Sequence, residues 1–469
     1  MLQREMPFDR RRAGVLLHVT SLPGAGSSGD LGDQAYRFVD FLGAAGCSVW
    51  QLLPLAPTHP AERSPYDALS AMAGNTDLIS NEHRAADGLD GPATLTEQQR
   101  ARFSSWCAAQ ADWLEPYVEY AALRERHDLA PWPSWPPALR DRDARAVADA
   151  LAPLADRVQL LRFEQWVFAV QWDRLRDYAA SKGVLMFGDL PIFVSLDSAD
   201  VWASRKLFHL DEESRPITVS GCPPDYFSAD GQRWDNPHYD WATMAADGFS
   251  WWRRRITRQR ELFDLVRIDH FRGLDAAWHV PADAPTAREG EWVPGPGADL
   301  LSVLVDAAGP GTLVAEDLGV ITEEVDELRL QFGLPGMKVL QFAFDGDRDN
   351  LHLPRRHEEQ SVVYTGTHDN DTTLGWWDQL DEVDREQVRS CLVDPEDPMP
   401  WALIQLAMQS RARLSVVPAQ DILGLGNEAR MNTPGTAGDN WSWQAPAGAL
   451  DDGLASRVRE VVAATGRLP

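Results

Sequence analysis

Three short apolar runs in this chain each end in acidic residues: Arg267-Ile268-Asp269-His270, Ala315-Glu316-Asp317-Leu318-Gly319 and Gly366-Thr367-His368-Asp369-Asn370. Desolvating a carboxylate at the end of an apolar strand costs several kcal/mol, so each of these groups needs a salt bridge, a metal or a substrate. Taken singly, Asp269 could pair with Arg267 or Arg272 and be structural, and Glu316 and Asp369 likewise. Gathered on one rim, the three point to chemistry instead. Two carboxyl groups about 5–5.5 Å apart across a glycosidic bond are the equipment of retaining hydrolysis or transfer, one as nucleophile and the other as acid and then base.

The rim is supplied by the order of elements. β-Rich runs at Val15–Val19, Val49–Leu53, Val184–Phe187, Leu265–Ile268, Leu313–Ala315, Val339–Phe342, Val362–Tyr364 and Leu414–Val417 alternate with helical patterns. Eight such runs predict an α/β fold, a (β/α)8 TIM barrel spanning 1–469, whose strand C-terminal ends converge on the face where barrel active sites lie. Phe38, Val39 and Leu42 recur at helical spacing over Asp33–Gly46, with Gly46 placed to end that helix in a left-handed cap. Two gaps exceed what one helix needs, so large insertions forming subdomains are expected. One, mainly helical, covers 58–156 after strand 2, and one covers 195–260 after strand 3, including a loop at 223–237. The Pro131–Pro137 segment, with four prolines and two tryptophans, reads as an ordered surface loop. No β-sandwich is expected after the eighth strand.

Composition narrows the substrate. A net charge of -27 repels nucleic acid and anionic membranes, which favours an uncharged ligand. No apolar run approaches ~18 residues and Met1–Arg12 is highly charged, so a cytoplasmic protein without a membrane anchor is expected. Cys47, Cys107, Cys222 and Cys391 are far apart in sequence and read as reduced thiols. Nineteen tryptophans suit sugar faces, although Trp also fills cores. The Gly24–Gly29 segment lacks the strand-to-helix setting of a phosphate cradle, and no metal-ligand cluster stands out, so no cofactor and no metal are expected. No obligate protein partner is evident.

Arg267–Gly273, Ala315–Gly319 and Thr365–Thr372 resemble the core motifs of amylomaltases, the 4-α-glucanotransferases of glycoside hydrolase family 77. The resemblance continues through His18–Pro23, Ser64–Tyr66, Gly188–Pro191, Pro223–Ser228, Gly336–Phe342 and Met431–Thr436, spanning nearly the whole chain. It implies transfer of α-1,4-glucan segments from a donor to a sugar acceptor, with Asp269 as nucleophile, Glu316 as general acid and Asp369 gripping the distorted ring. It further implies Tyr66, Asp189, Tyr226, Trp234, Arg267, His270, His368 and Asn440 as substrate-binding residues, Tyr66 as an aromatic platform, and 223–237 as a loop arching over the acceptor side. Asp317 is a like-charge neighbour expected to raise the pKa of Glu316. Three positions depart from the family pattern: Asp235 follows Trp234 where Gly is usual, Ser28 replaces Ile, and Gln444 replaces a frequent Arg.

Rival readings remain at this level. An amylase-like hydrolase shares the carboxylate trio, and a glucan-binding protein without turnover would share the aromatics. A metal-dependent barrel hydrolase would want His-x-His on strand 1, where this chain has His18-Val19-Thr20.

Overall fold

A computed structural model describes residues 7–24, 26, 28–60, 62–224, 229–436 and 438–469. Its strands are β1 (Arg12–Leu16), β2 (Val49–Gln51), β3 (Leu185–Leu190), β4 (Thr218–Cys222), β5 (Gln232–Pro237), β6 (Leu265–Ile268), β7 (Ala276–Pro281), β8 (Glu291–Pro294), β9 (Leu313–Ala315), β10 (Gly336–Val339), β11 (Ser361–Tyr364) and β12 (Leu414–Pro418). Eight of them pair in parallel in the order β10-β11-β12-β1-β2-β3-β6-β9. The Ala315 N–H donates to the Pro335 carbonyl at 2.9 Å, joining β9 to the start of β10 and closing the (β/α)8 barrel.

Successive side chains on a strand alternate between lumen and helix layer. The lumen core contains Leu16, Val49, Phe187, Leu265, Val314, Met337, Val339, Val362, Tyr364, Leu414 and Val416. The outward set, including Val15, Trp50, Met186, Val266, Ile268, Leu313 and Val417, packs on the surrounding helices. Two residues beyond Phe187, Leu265 and Val314, the inward positions become Asp189, Arg267 and Glu316. The same alternation that fills the barrel with apolar layers therefore caps it with charge.

Two expected strands shift. The first run forms β1 three residues early, and Val19–Ser21 becomes a 3-10 turn; the sixth forms β10 at Gly336–Val339, and Leu340–Phe342 likewise turns. In both cases the apolar run continues past the strand because those side chains still bury beyond it. The helix Asp33–Ala45 ends at Gly46, whose φ of 72° is the left-handed cap.

Between β2 and β3 run helices at Glu97–Ala109, Ala111–Arg126, Ala144–Leu151 and the 27-residue Ala155–Ser181, which returns the chain to the barrel. The Pro/Trp segment runs along the surface as expected, but as short helical turns anchored by its tryptophans. It makes a 3-10 turn at Trp132–Ser134 and a helical turn at Pro137–Arg140, with Trp132 and Trp135 buried. Their indole N–H groups donate to the carbonyls of Leu196 (2.5 Å) and Ala130 (3.0 Å). Proline at the start of a turn lacks only an N–H that has no intrahelical partner anyway. A second, antiparallel sheet of order β5-β4-β7-β8 draws two strands from the 195–260 region and two from after β6. Its strands, such as Thr218–Cys222 and Gln232–Pro237, carry no apolar alternation to announce them. Among the described residues no strand follows β12, and the chain closes with a helix at Asp452–Ala464. None of the four cysteines is joined in a disulfide; Cys47 is buried and the others are half-buried.

Candidate active site

Register places the acidic residues. Asp189 on β3 lies opposite Arg267 on β6, and Ile268 lies opposite Ala315 on β9. Asp269 and Glu316 are thus the next residues on neighbouring strands, whose backbones run about 4.8 Å apart. The ladder continues through them: Asp269 N–H donates to Leu190 O (3.0 Å), Glu316 N–H to Ile268 O (3.1 Å) and Phe271 N–H to Glu316 O (3.1 Å). Gly188, one residue before Asp189, is required by packing, since a Cβ there would sit 2.1 Å from the Phe263 ring.

Arg267 is the hub. Its Nη1 donates to both oxygens of buried Asp189 (2.9 and 2.7 Å) and pairs with Asp269 Oδ1 at 2.7 Å. Burial works against the guanidinium's charge, but Asp189 and Asp269 outweigh it and hold its pKa well above the ordinary value. Asp189 also accepts from the Tyr66 hydroxyl at 2.7 Å, which fixes the tyrosine. The Tyr66 ring stacks on His368 (centroids 5.2 Å, 9° between planes) and leans on Trp441 at 5.7 Å.

Glu316 is buried, and its two oxygens accept backbone N–H groups from His270 (2.6 Å) and Leu318 (2.9 Å). The first bond depends on His270 adopting φ 51°, ψ 50°, a left-handed conformation uncommon for a side chain of this size. Burial pushes the Glu316 carboxyl up to about 7; Arg267 pulls it down and the anionic Asp269 adds to the rise. Asp317 is not the cause. Its side chain points away from the lumen, as adjacent strand residues must, and accepts from Met337 N–H (2.6 Å) beside Arg329 (3.3 Å).

Asp369 is half-buried, with Oδ1 accepting from Asn432 Nδ2 at 2.6 Å and Oδ2 lying 3.2 Å from His368 Nε2. Trp234 on β5 stands edge-on to the His270 ring at 4.8 Å, so that sheet reaches the barrel mouth. Burial lowers the His270 pKa to about 4, and its buried Nε2 has no hydrogen-bond partner in the protein. Tyr226 lies outside the described residues.

Asn440 closes its own loop: its Oδ1 accepts from Thr433 N–H (3.0 Å) and its Nδ2 donates to Thr436 O (3.1 Å). Three residues not singled out from sequence belong to the cluster. Asn432 holds Asp369, Trp441 backs Tyr66, and buried His18 lines a recess shared with His368, Asp371 and Arg430. Only the motifs containing His18 and Asn432 signalled them; nothing local marks Trp441.

The comparisons bear directly on this arrangement. The family model for 4-alpha-glucanotransferase matches residues 17–98 and 90–449. This chain belongs to that family. Among relatives of this 4-α-glucanotransferase, the Thermus thermophilus 4-alpha-glucanotransferase is 45% identical over 98% of this chain and 99% of its own. The chloroplastic/amyloplastic enzyme of Solanum tuberosum is 43% identical over 100% of this chain and 88% of its own. The amylomaltase from Streptococcus agalactiae, solved in complex with acarbose, superposes with a TM-score of 0.93 at 31% identity, covering 98% and 100% of the two chains.

Two of the three departures of this 4-α-glucanotransferase from the pattern have local explanations. Gln444 Nε2 donates to the Leu22 carbonyl at 3.2 Å, tying the C-terminal segment to the loop after β1. Asp235 has φ 59°, which explains a preference for Gly, and its exposed carboxylate pairs with Arg233 at 2.8 Å. Asp tolerates this conformation and Gly loses entropy on folding, so Asp235→Gly is expected to keep stability within about 1 kcal/mol. Asp235→Val, β-branched at positive φ, is expected to lose at least about 1–2 kcal/mol in denaturant titration. Equal stability of the Val protein would contradict the assigned backbone.

Proposed function

We propose that this enzyme transfers α-1,4-glucan segments between malto-oligosaccharides, or to glucose, by a retaining double displacement. The observation that carries the mechanism is the placement of Asp269 and Glu316 on adjoining strands of one barrel mouth, with Asp269 ion-paired to Arg267 and Glu316 buried. In the first step an Asp269 oxygen bonds to the anomeric carbon while the glycosidic oxygen departs with the proton of Glu316. In the second, an acceptor hydroxyl gives its proton to Glu316, bonds to that carbon and releases Asp269. The pKa of about 7 for Glu316 supports an acid that is about half protonated at neutral pH and largely protonated below it.

Tyr66 offers a ring face to the reacting glucose, while His368, Asp369, Arg267 and His270 offer hydrogen bonds to its hydroxyls. Trp234 would meet the acceptor. That the Streptococcus agalactiae relative binds acarbose supports a glucan-sized groove here. We read 58–156 and 195–260 as the insertions that wall it.

Incubation with maltotriose tests the reading. The expected result is a ladder of longer and shorter oligosaccharides with a constant total of reducing ends. A rise in reducing ends that matches substrate consumption would make the enzyme a hydrolase and overturn it.

A further inference from the structure

The loop carrying His368 and Asp369 leaves β11 at Thr365 and enters a helix at Thr373. Both ends converge on one carboxylate. Asp421, in the turn of helix after β12, accepts from the Thr365 hydroxyl (Oδ2, 2.6 Å), the Thr373 hydroxyl (Oδ2, 2.6 Å) and the Thr373 N–H (Oδ1, 2.7 Å). Asp421 is 1% exposed and both threonines are wholly buried. Among the described residues no basic side chain forms an ion pair with Asp421.

An unpaired buried carboxylate is an expensive way to gain stability, since apolar groups of the same shape serve as well or better. What it supplies is geometry: three short bonds fix the separation of two points on one loop. The middle of that loop is held from other directions. Arg430 Nη2 donates to Asp369 O (2.6 Å), Gln341 Nε2 to Asp371 O (2.9 Å) and Asn432 Nδ2 to the Asp369 carboxylate (2.6 Å). These anchors bear on a loop whose span Asp421 sets.

We propose that Asp421 is a positioning residue for glucosyl transfer, clasping both ends of the Thr365–Thr373 loop so that His368 and Asp369 meet the reacting sugar in register. The inference rests on the reading of Asp369 given above. Misplacing a contact group by about 1 Å costs on the order of 100-fold in rate. Asp421→Ala should therefore lower kcat for maltotriose about 10- to 100-fold with KM changed less than threefold. A triple variant, Thr365→Val, Thr373→Val and Asp421→Leu, replaces the three side chains of the clasp by apolar groups of similar shape, leaves only the Thr373 N–H without its acceptor, and should keep the fold while losing kcat similarly.

Two readouts separate positioning from bulk stability. Amide hydrogen exchange should quicken at 366–372 in the triple variant and stay unchanged in the barrel strands. In an Asp369→Asn background, Asp421→Ala should add less than a threefold further loss, because the group it positions is already disabled. A folded triple variant with kcat within twofold of the parent, unaltered exchange at 366–372, or the same fold-loss in both backgrounds would each overturn the clasp. Full activity of the Asp369→Asn single variant would instead refute the role given to Asp369, and exchange would still decide the clasp.

Discussion

Asp269→Ala is expected to reduce turnover of maltotriose by at least about 10⁴-fold, because covalent catalysis loses nearly all its rate when the nucleophile is removed. The loss should fall on kcat. The Asp269 side chain is 27% exposed at the barrel mouth and fills no core space, and Arg267 keeps its bidentate pairing with Asp189. The protein should therefore fold and still bind acarbose within about tenfold of the parent, as expected when a group acts chiefly in the transition state. Stopped assays with maltotriose measure the first quantity and isothermal titration the second. In the parent, a fluoroglycosyl donor that slows the second step should leave its mass on the peptide bearing Asp269. An Asp269→Ala protein with kcat within tenfold of the parent would show that another group attacks.

Glu316→Gln is expected to cost about 10²–10⁴-fold with ordinary glucan donors, the usual reach of a positioned acid. Much of the first-step loss should return with a glucosyl fluoride, whose leaving group needs no proton. Burial, with the charge of Asp269 added against the pull of Arg267, sets this carboxyl at about 7. The parent's kcat/KM should then hold up to about pH 7 and fall above it as the acid ionises. Stability carries the same signature. The folded pKa lies above the ordinary carboxyl value of 4.5. Between the two values the folded protein holds a proton that the unfolded chain has released. The contribution is fully present below pH 4.5, declines as pH rises, and is lost above about 7, a total of about 3 kcal/mol. Glu316→Gln, which has no proton to lose, should remove that slope and be more stable than the parent at pH 8 while nearly inactive. Denaturant titrations at pH 5 and pH 8 check it, and identical slopes in parent and variant would place the titrating group elsewhere.

Much of the barrel could be read from the chain because its strands are local events. Runs such as Val362–Tyr364 and Leu313–Ala315 are apolar on both faces, one set filling the lumen and the other meeting helices, and helical patterns between them leave a parallel closed sheet as the economical arrangement. Asp269, Glu316 and Asp369 were visible for the same reason, since charge at the end of such a run has no local explanation. The β5-β4-β7-β8 sheet was hidden because strands like Gln232–Pro237 owe their form to partners distant in sequence rather than to their own pattern.

The sequence by itself determined that a barrel forms and that three acidic residues stand at its mouth, because alternation along a strand is fixed by covalent geometry. Only the tertiary structure decided what surrounds each of them. Burial and Asp269, not the adjoining Asp317, raise the Glu316 carboxyl, because consecutive strand residues face opposite sides. Asn432 reaches Asp369, Asn440 closes its own loop, and Asp421 gathers two threonines, contacts that depend on how segments far apart in the chain meet across the barrel mouth.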